Sequence, residues 1–215
     1  MPSKAYKNFR VNIIDAKRLA ESHNELTPNH QGRRALGHIT RSGITMLCAS
    51  WEVYVENLLV ESTKYIVENI EHPNELPDSV KLNLSQKIKE SKHHFKPLEL
   101  AGFGWRNSLV SYCSLETDAL NSPKYSKLKK LYHDYIGMND IIDIWNVDSQ
   151  TIDDFVSIRG KIAHRGRSAP YVTIIQLNSY IDMIYNNCKY MDNEMCSYLH
   201  DLIGNTTQPW RRATI

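Results

Sequence analysis

The spacing of apolar residues constrains the fold of this chain more than any other feature of its sequence. Apolar side chains recur every three or four residues along several long segments, which is the period of an α-helix with one buried face. No stretch alternates apolar and polar residues between turn signals over several repeats, and no internal repeat of fixed period is present. The sequence therefore predicts an all-α fold.

Proline-containing segments separate the helices predicted in the first half of the chain. The first helix covers residues 4–26 and ends at Thr27-Pro28, because proline disfavours helix in the residue before it. A much longer helix follows from about Gly32 to Ile70. After a loop rich in proline and asparagine, Asp78 is placed to cap a helix that runs to about Lys92.

The second half predicts three further helices, over residues 127–135, over residues 150–167, and over about thirty residues after Pro170. Gly137 and Gly204 are expected C-caps. The last eleven residues, NTTQPWRRATI, read as flexible. We therefore predict one helical domain over residues 1–205 and a flexible tail over residues 206–215.

Composition and cysteine usage indicate the class of protein and its compartment. The chain has 215 residues, 41% hydrophobic and 23% charged, which excludes a disordered or fibrous protein. The four cysteines show neither a CxxC pair nor metal-ligand spacing, which favours free buried thiols in a reducing cytosol. The N-terminus has no apolar signal region, and no apolar run reaches 18 residues. A cytoplasmic protein without a membrane segment is predicted.

The segment QTIDDFVSIRGKIAHRGR, residues 150–167, carries the strongest functional signal. Arg159 falls in the middle of its apolar stripe, which is formed by Ile152, Phe155, Val156, Ile162 and Ala163. A guanidinium in that position needs a carboxylate, an interface cleft or an external anion. His164 lies about 7.5 Å further along the helix and roughly 140° around it, so the two side chains diverge. They can converge only if the helix opens near Gly160 or Gly166, or if a second subunit contributes.

Arginine and histidine together supply the chemistry of metal-free phosphodiester cleavage. Arginine recognises phosphate through a planar set of donors, and histidine has a reference pKa of about 6.5, suited to proton transfer near neutrality. The adjacent His93 and His94 lack the spacing of a helical metal pair. We therefore predict neither a metal nor a cofactor.

Further charged residues are candidates for supporting roles. Glu52 and Glu56, one helical turn apart, are candidate partners for Arg159, although they also fit an exposed surface helix. The net charge of +2 is too small to predict nucleic-acid binding from bulk electrostatics, so such binding would rest on local basic clusters. The candidate RNA-binding residues are Arg34, Arg41, Lys161, Arg165 and Arg167. Arg34 and Arg41 share a helix face with His38, which also fits a solvated basic face.

Three segments resemble one known family. IRGKIAHRG resembles the motif of Arg, four to six residues and His in the HEPN superfamily of small helical domains. SWEVYVENLL resembles the acidic-aromatic helix of its RiboL-PSP-type branch, and ALNSPKYSKLKKLYHDYIGMNDIIDIW resembles the region that precedes the motif helix. The resemblance covers roughly residues 36–203, and Trp51, Glu52, Arg159 and His164 carry most of it.

The resemblance implies both a fold and a function. Such proteins are up-and-down bundles of long antiparallel helices that commonly dimerise with their two motifs in one cleft. Many are metal-independent endoribonucleases in toxin, phage-defence or RNA-processing systems. Arg159 and His164 would then be catalytic, with Glu52 orienting Arg159. The expected partners are RNA, a second copy of the chain, and a protein of the same defence or toxin–antitoxin system.

One departure from the family pattern leaves alternatives open. Active members usually carry Asn, Asp or His directly after the motif arginine, and this chain has Gly160 there. One alternative is a noncatalytic HEPN module that binds RNA, a nucleotide or a partner protein. Another is a structural helical dimer, in which Arg159 pairs with Glu52 or Glu56 and the cleft holds nothing.

Overall fold

The computed structural model of the chain describes residues 1–26, 36–204 and 207–213. Within them the chain forms seven α-helices and no strand: α1 Lys4–Glu25, α2 Gly37–Asn69, α3 Asp78–Glu90, α4 Gly104–Asp118, α5 Tyr125–Ile136, α6 Ser149–Arg165 and α7 Ile174–Ile203. Four short 3-10 turns connect them, at Pro73–Glu75, Lys96–Leu100, Ile141–Ile144 and Gly166–Ser168. The predicted all-α class is confirmed.

Helix α2 is the centre of the bundle, since it packs against α1, α4, α5, α6 and α7. Trp51, Tyr54 and Leu58 on this helix are fully buried. The Tyr54 hydroxyl donates to the Cys188 carbonyl of α7 at 2.8 Å, and the Tyr132 hydroxyl of α5 donates to the Val55 carbonyl at 2.8 Å. The buried phenols thus fix neighbouring helices to α2 while satisfying their own polar atoms.

Contacts along α2 define the direction of its neighbours. Helix α1 runs antiparallel to it, because the first residues of α1 reach Glu61 near the end of α2. Helix α7 runs parallel to it, since Thr40 bonds the Val172 carbonyl just before α7 and Tyr54 bonds Cys188 further along. Helices α1 and α7 therefore lie against α2 in opposite directions, as neighbours do in an up-and-down bundle.

Polar groups from two helices hold the start of α1. The Ser3 hydroxyl caps the helix by accepting from the Tyr6 N–H at 2.9 Å, and it donates to the buried Asp192 carboxylate of α7. Glu61 of α2 accepts from the N–H groups of Lys4 and Ala5, each at 2.9 Å. Burial raises the pKa of Asp192 to about 6.

Helix boundaries agree with the sequence patterns in most places. Gly137 and Gly204 end α5 and α7 in the left-handed region, with φ of 78° and 69°. The expected start of α2 at Gly32 lies outside the described residues. Asp78 is not a cap: the N-cap of α3 is Pro77, and Asp78 in the first turn pairs with Lys81 at 2.8 Å.

Helix α4 has no counterpart among the predicted helices. Its buried residues Trp105, Leu109 and Cys113 recur every four positions, which is a helical signal. The two glycines at its start, Gly102 and Gly104, obscure that signal because glycine usually interrupts helices.

The C-terminal segment contacts helix α7. Residues 207–213 pack on α7: the Trp210 indole donates to the Asp192 carbonyl at 3.0 Å, and the Ala213 N–H donates to the Asn193 side chain at 2.8 Å. The indole of Trp210 also packs against the core, while a flexible tail remains the prediction for residues 206–215. Residues 206, 214 and 215 lie outside the described part of the chain.

The four cysteines are free and buried, as predicted. Among the described helices, none is both long enough and apolar enough to cross a membrane.

Candidate functional site

Helix α6 changes character halfway along its length. The Asp148 side chain caps it by accepting from the Thr151 N–H at 2.9 Å, and Ile152, Phe155 and Val156 are buried in the core. From residue 157 to its end no residue is buried, and Ala163 is exposed. The predicted apolar stripe therefore packs as expected in its first two turns and not at Ala163. The last turns of α6 remain open to solvent.

Arg159 lies half-buried in the groove between α6 and α2. Its charge acts on two residues of α2: burial raises the pKa of Glu52, and Arg159 is the strongest influence that lowers it. Burial also raises the pKa of the Cys48 thiol to about 12, again opposed by Arg159. Yet Arg159 forms no ion pair with any described carboxylate. Glu52 is thus within electrostatic reach of Arg159 without neutralising it by direct contact.

Glu56 has different neighbours. Burial raises the pKa of this carboxyl to about 7, and the charges of Glu52 and Asp118 raise it further, while Arg159 is not among the groups that act on it. The structure therefore brings Glu52, and not Glu56, towards Arg159. The ion pair that a purely structural role for Arg159 would require, with either glutamate, is not formed.

His164 is exposed in the last turn of α6 and does not meet Arg159. The helix is continuous through Gly160, so the two side chains leave it about 140° apart. Gly166, with φ of 51°, ends the helix only after His164 and cannot turn that side chain back. One chain alone therefore does not assemble the two motif residues around a common point.

Two of the predicted cationic residues lie near the C-terminal end of α6. Arg41 and Arg167 line a cavity of about 330 Å³ between α2 and the end of α6. Lys161 and Arg165 are exposed on α6 itself. Arg34 lies outside the described residues. The remaining lining residues are His38, Ser42, Thr45, Met46, Ile162 and Gly166.

Arg159 and the cavity belong to one groove, because α2 and α6 run antiparallel. Towards the N-terminus of α2 the groove passes from Glu52, which faces Arg159, to Met46, which shares the cavity with Ile162. Ser42 and Met46 were not predicted as site residues. They follow His38 at four and eight residues, on the same helix face, and this spacing is the signal that could have found them.

No group of three or more His, Cys, Asp or Glu residues that could hold a metal ion occurs in the described parts of the chain. His93 and His94 are both exposed in the segment between α3 and α4.

An all-helical bundle whose penultimate long helix carries Arg, four residues and His has the features of a HEPN domain. The family model of RiboL-PSP-HEPN matches residues 11–197. The chain therefore belongs to the RiboL-PSP-HEPN family, as its motifs indicated. Searches of curated proteins and of solved structures each gave no match.

Proposed function

We propose that this protein is a metal-independent endoribonuclease that works as a homodimer. The observation that carries the proposal is Arg159: a half-buried guanidinium, on the motif helix of a HEPN domain, that lacks an ion-pair partner among the described residues. A buried cation without a counter-ion is unfavourable, and a phosphate group supplies the missing charge with matched geometry.

The reaction follows from the chemistry of the two motif residues. The ribose 2′-hydroxyl attacks the adjacent phosphorus and the bond to the 5′-oxygen breaks, which leaves a 2′,3′-cyclic phosphate and a 5′-hydroxyl. Arg159 stabilises the negative charge that builds up on the phosphorane. His164 takes the proton from the 2′-hydroxyl or gives one to the departing 5′-oxygen. Glu52 orients Arg159 through their electrostatic interaction.

A two-fold dimer is the simplest way to complete this site. In an isologous dimer the exposed last turns of two α6 helices would lie side by side, so that His164 of each chain reaches the arginine of the other. Two histidines in one cleft would also allow one to act as base and the other as acid. Lys161, Arg165 and Arg167 would then hold the RNA backbone beside the cleft.

A noncatalytic HEPN module is the second candidate, and Gly160 favours it. The position after the motif arginine carries no polar side chain, and a Cβ atom placed there would have nothing within 4 Å. In this case the same cations would bind RNA, a nucleotide or an acidic segment of a partner protein without cutting a bond. We propose a cytoplasmic role in toxin, defence or RNA-processing systems for either version.

One assay separates the two candidates. Purified protein is incubated with total RNA in excess EDTA, beside a His164→Ala variant and a His94→Ala control, since both histidines are exposed. We expect cleavage by the wild type and the control, and a loss of about 100- to 10,000-fold for His164→Ala. Equal cleavage by His164→Ala would contradict the catalytic assignment, and intact RNA in all samples would favour the noncatalytic module.

A further inference from the structure

The cavity at the end of the α2–α6 groove has the size of a single-nucleotide site. Its volume of about 330 Å³ lies at the lower end of the range for small-molecule pockets. Arg41, Ser42 and Met46 of α2 line one side of it, and Ile162 and Arg167 line the other.

The walls combine an apolar surface with a cationic rim. Met46 is 44% exposed and Ile162 is partly buried against the core, so the cavity offers a thioether and an aliphatic side chain. A methionine sulfur makes favourable contacts with aromatic rings. Arg41 and Arg167 form no salt bridge with any carboxylate in the described chain. A ligand that suits both parts has a flat aromatic ring and a negative charge.

The segment that follows α6 is attached to α2 beside the cavity. The Thr40 hydroxyl donates to the Val172 carbonyl at 2.7 Å, and Ala169 and Val172 are buried, so the segment that follows α6 is anchored on α2. Arg41 is held close to the backbone of Gly37: a Cβ there would lie 3.0 Å from Arg41 Nη1 and 3.2 Å from Tyr171 Cε2. The segment between α6 and α7 is therefore fixed to α2 next to the cavity, and the Arg41 side chain lies close to it.

The cavity also adjoins the motif arginine. Ile162 is three residues after Arg159 and so lies on the same side of α6, about 4.5 Å further along the helix. A chain held at Arg159 by one phosphate would thus present a neighbouring nucleotide to the cavity.

We propose that this cavity binds one nucleotide of a single-stranded RNA, with the base against Met46 and Ile162 and a phosphate on Arg41 and Arg167. Its position beside the scissile phosphate rests on the proposed function. The cavity makes recognition depend on a base at one position of the RNA, whereas the exposed cations on α6 contact any backbone equally.

The test measures binding separately from cleavage. Labelled single-stranded oligonucleotides with 2′-O-methyl ribose, which lacks the attacking hydroxyl, are titrated by fluorescence anisotropy. A set with one abasic site at each position in turn is compared on wild type, Met46→Ala and a Leu82→Ala control, which removes an exposed apolar side chain on α3, far from the cavity lining. Circular dichroism checks that each variant keeps its helical content.

We expect an abasic site at one position to weaken wild-type binding about two- to tenfold. Met46→Ala should weaken binding of the intact RNA by a similar factor. The variant should bind the abasic RNA as tightly as it binds the intact RNA, because the abasic site and the substitution remove the same contact. Leu82→Ala should behave as wild type. Arg167→Ala should reduce affinity for every oligonucleotide and lower the salt dependence by about one charge, whereas Arg18→Ala on α1 should not.

If the abasic site and Met46→Ala reduce the binding affinity additively at every position, the proposed subsite is overturned, even if the protein cleaves RNA in EDTA. Coupled losses in a protein that never cleaves RNA would support the subsite and overturn the endoribonuclease proposal. The two failures are therefore distinguishable.

Discussion

Arg159 and His164 lie on the same unbroken helix with side chains about 140° apart, and Gly160 between them does not open the helical turn. Arg159 points into the groove with α2, and His164 is exposed at the helix end. A catalytic site that needs both residues is therefore incomplete in one chain.

Mixed dimers test whether the site is shared between chains. Arg159→Ala and His164→Ala subunits, co-expressed with different tags and purified through both, give heterodimers that keep one arginine and one histidine on opposite chains. We expect these heterodimers to recover part of the RNA cleavage that both homodimers lack, because catalysis crosses the interface. Intact heterodimers without any recovery would indicate that each site forms within one chain or that the dimer uses another face.

The cleavage product reports the reaction class. If the ribose 2′-hydroxyl is the nucleophile, the upstream fragment ends in a 2′,3′-cyclic phosphate or its opened product, and a single 2′-deoxy substitution at the cut site blocks cleavage there. Mass spectrometry of the fragments measures both. Cutting of the deoxy substrate, or a strict requirement for magnesium, would show that another chemistry operates.

Gly160 stands where active members of the family usually carry a polar residue, and substituting it tests whether this difference limits activity. A side chain fits there without displacing a described atom, because an added Cβ meets nothing within 4 Å. We expect Gly160→Asn to increase the cleavage rate, on the order of tenfold, by adding a polar group next to Arg159. Gly160→Ala is the matched control. It should raise the free energy of unfolding by about 0.5–1 kcal/mol and leave the cleavage rate unchanged. Equal cleavage rates for the two variants would show that the absence of a polar group at this position does not limit activity.

The buried Asp192 makes stability depend on pH. Its folded-state pKa of about 6 lies above the value of about 3.9 for an aspartate in an unfolded chain. The folded protein therefore keeps a proton that the unfolded chain releases, and this contribution to stability is lost as the pH rises from about 4 to 6. We expect the free energy of unfolding of Asp192→Asn to rise by on the order of 1–3 kcal/mol relative to wild type as the pH increases from about 4 to 6.

Urea unfolding at each pH measures this difference, and Asp182→Asn on the exposed side of α7 is the control. The comparison with wild type isolates Asp192 from Glu52 and Glu56, whose raised pKa values have the same sign of effect. A pH dependence that is unchanged in Asp192→Asn would contradict a buried, proton-binding carboxyl in the folded protein.

The sequence by itself determined the all-α class, every α-helix except α4, and the motif. Helical periodicity and glycine C-caps are local properties, so the ends of α5 and α7 could be placed from Gly137 and Gly204 alone. The motif of Arg159 and His164 could likewise be recognised in the sequence, because it depends on residue types at a fixed spacing.

The tertiary structure alone decided which residues share the groove. The cavity of Arg41 and Arg167 joins residues more than one hundred positions apart, and the choice of Glu52 over Glu56 depends on how α2 is rotated against α6. Trp210 could be placed on α7 only once Asp192 and the start of α1 had formed the surface that receives it. These relationships arise from packing between distant segments, and a helical period fixes which face of a helix is buried but not which helix covers it.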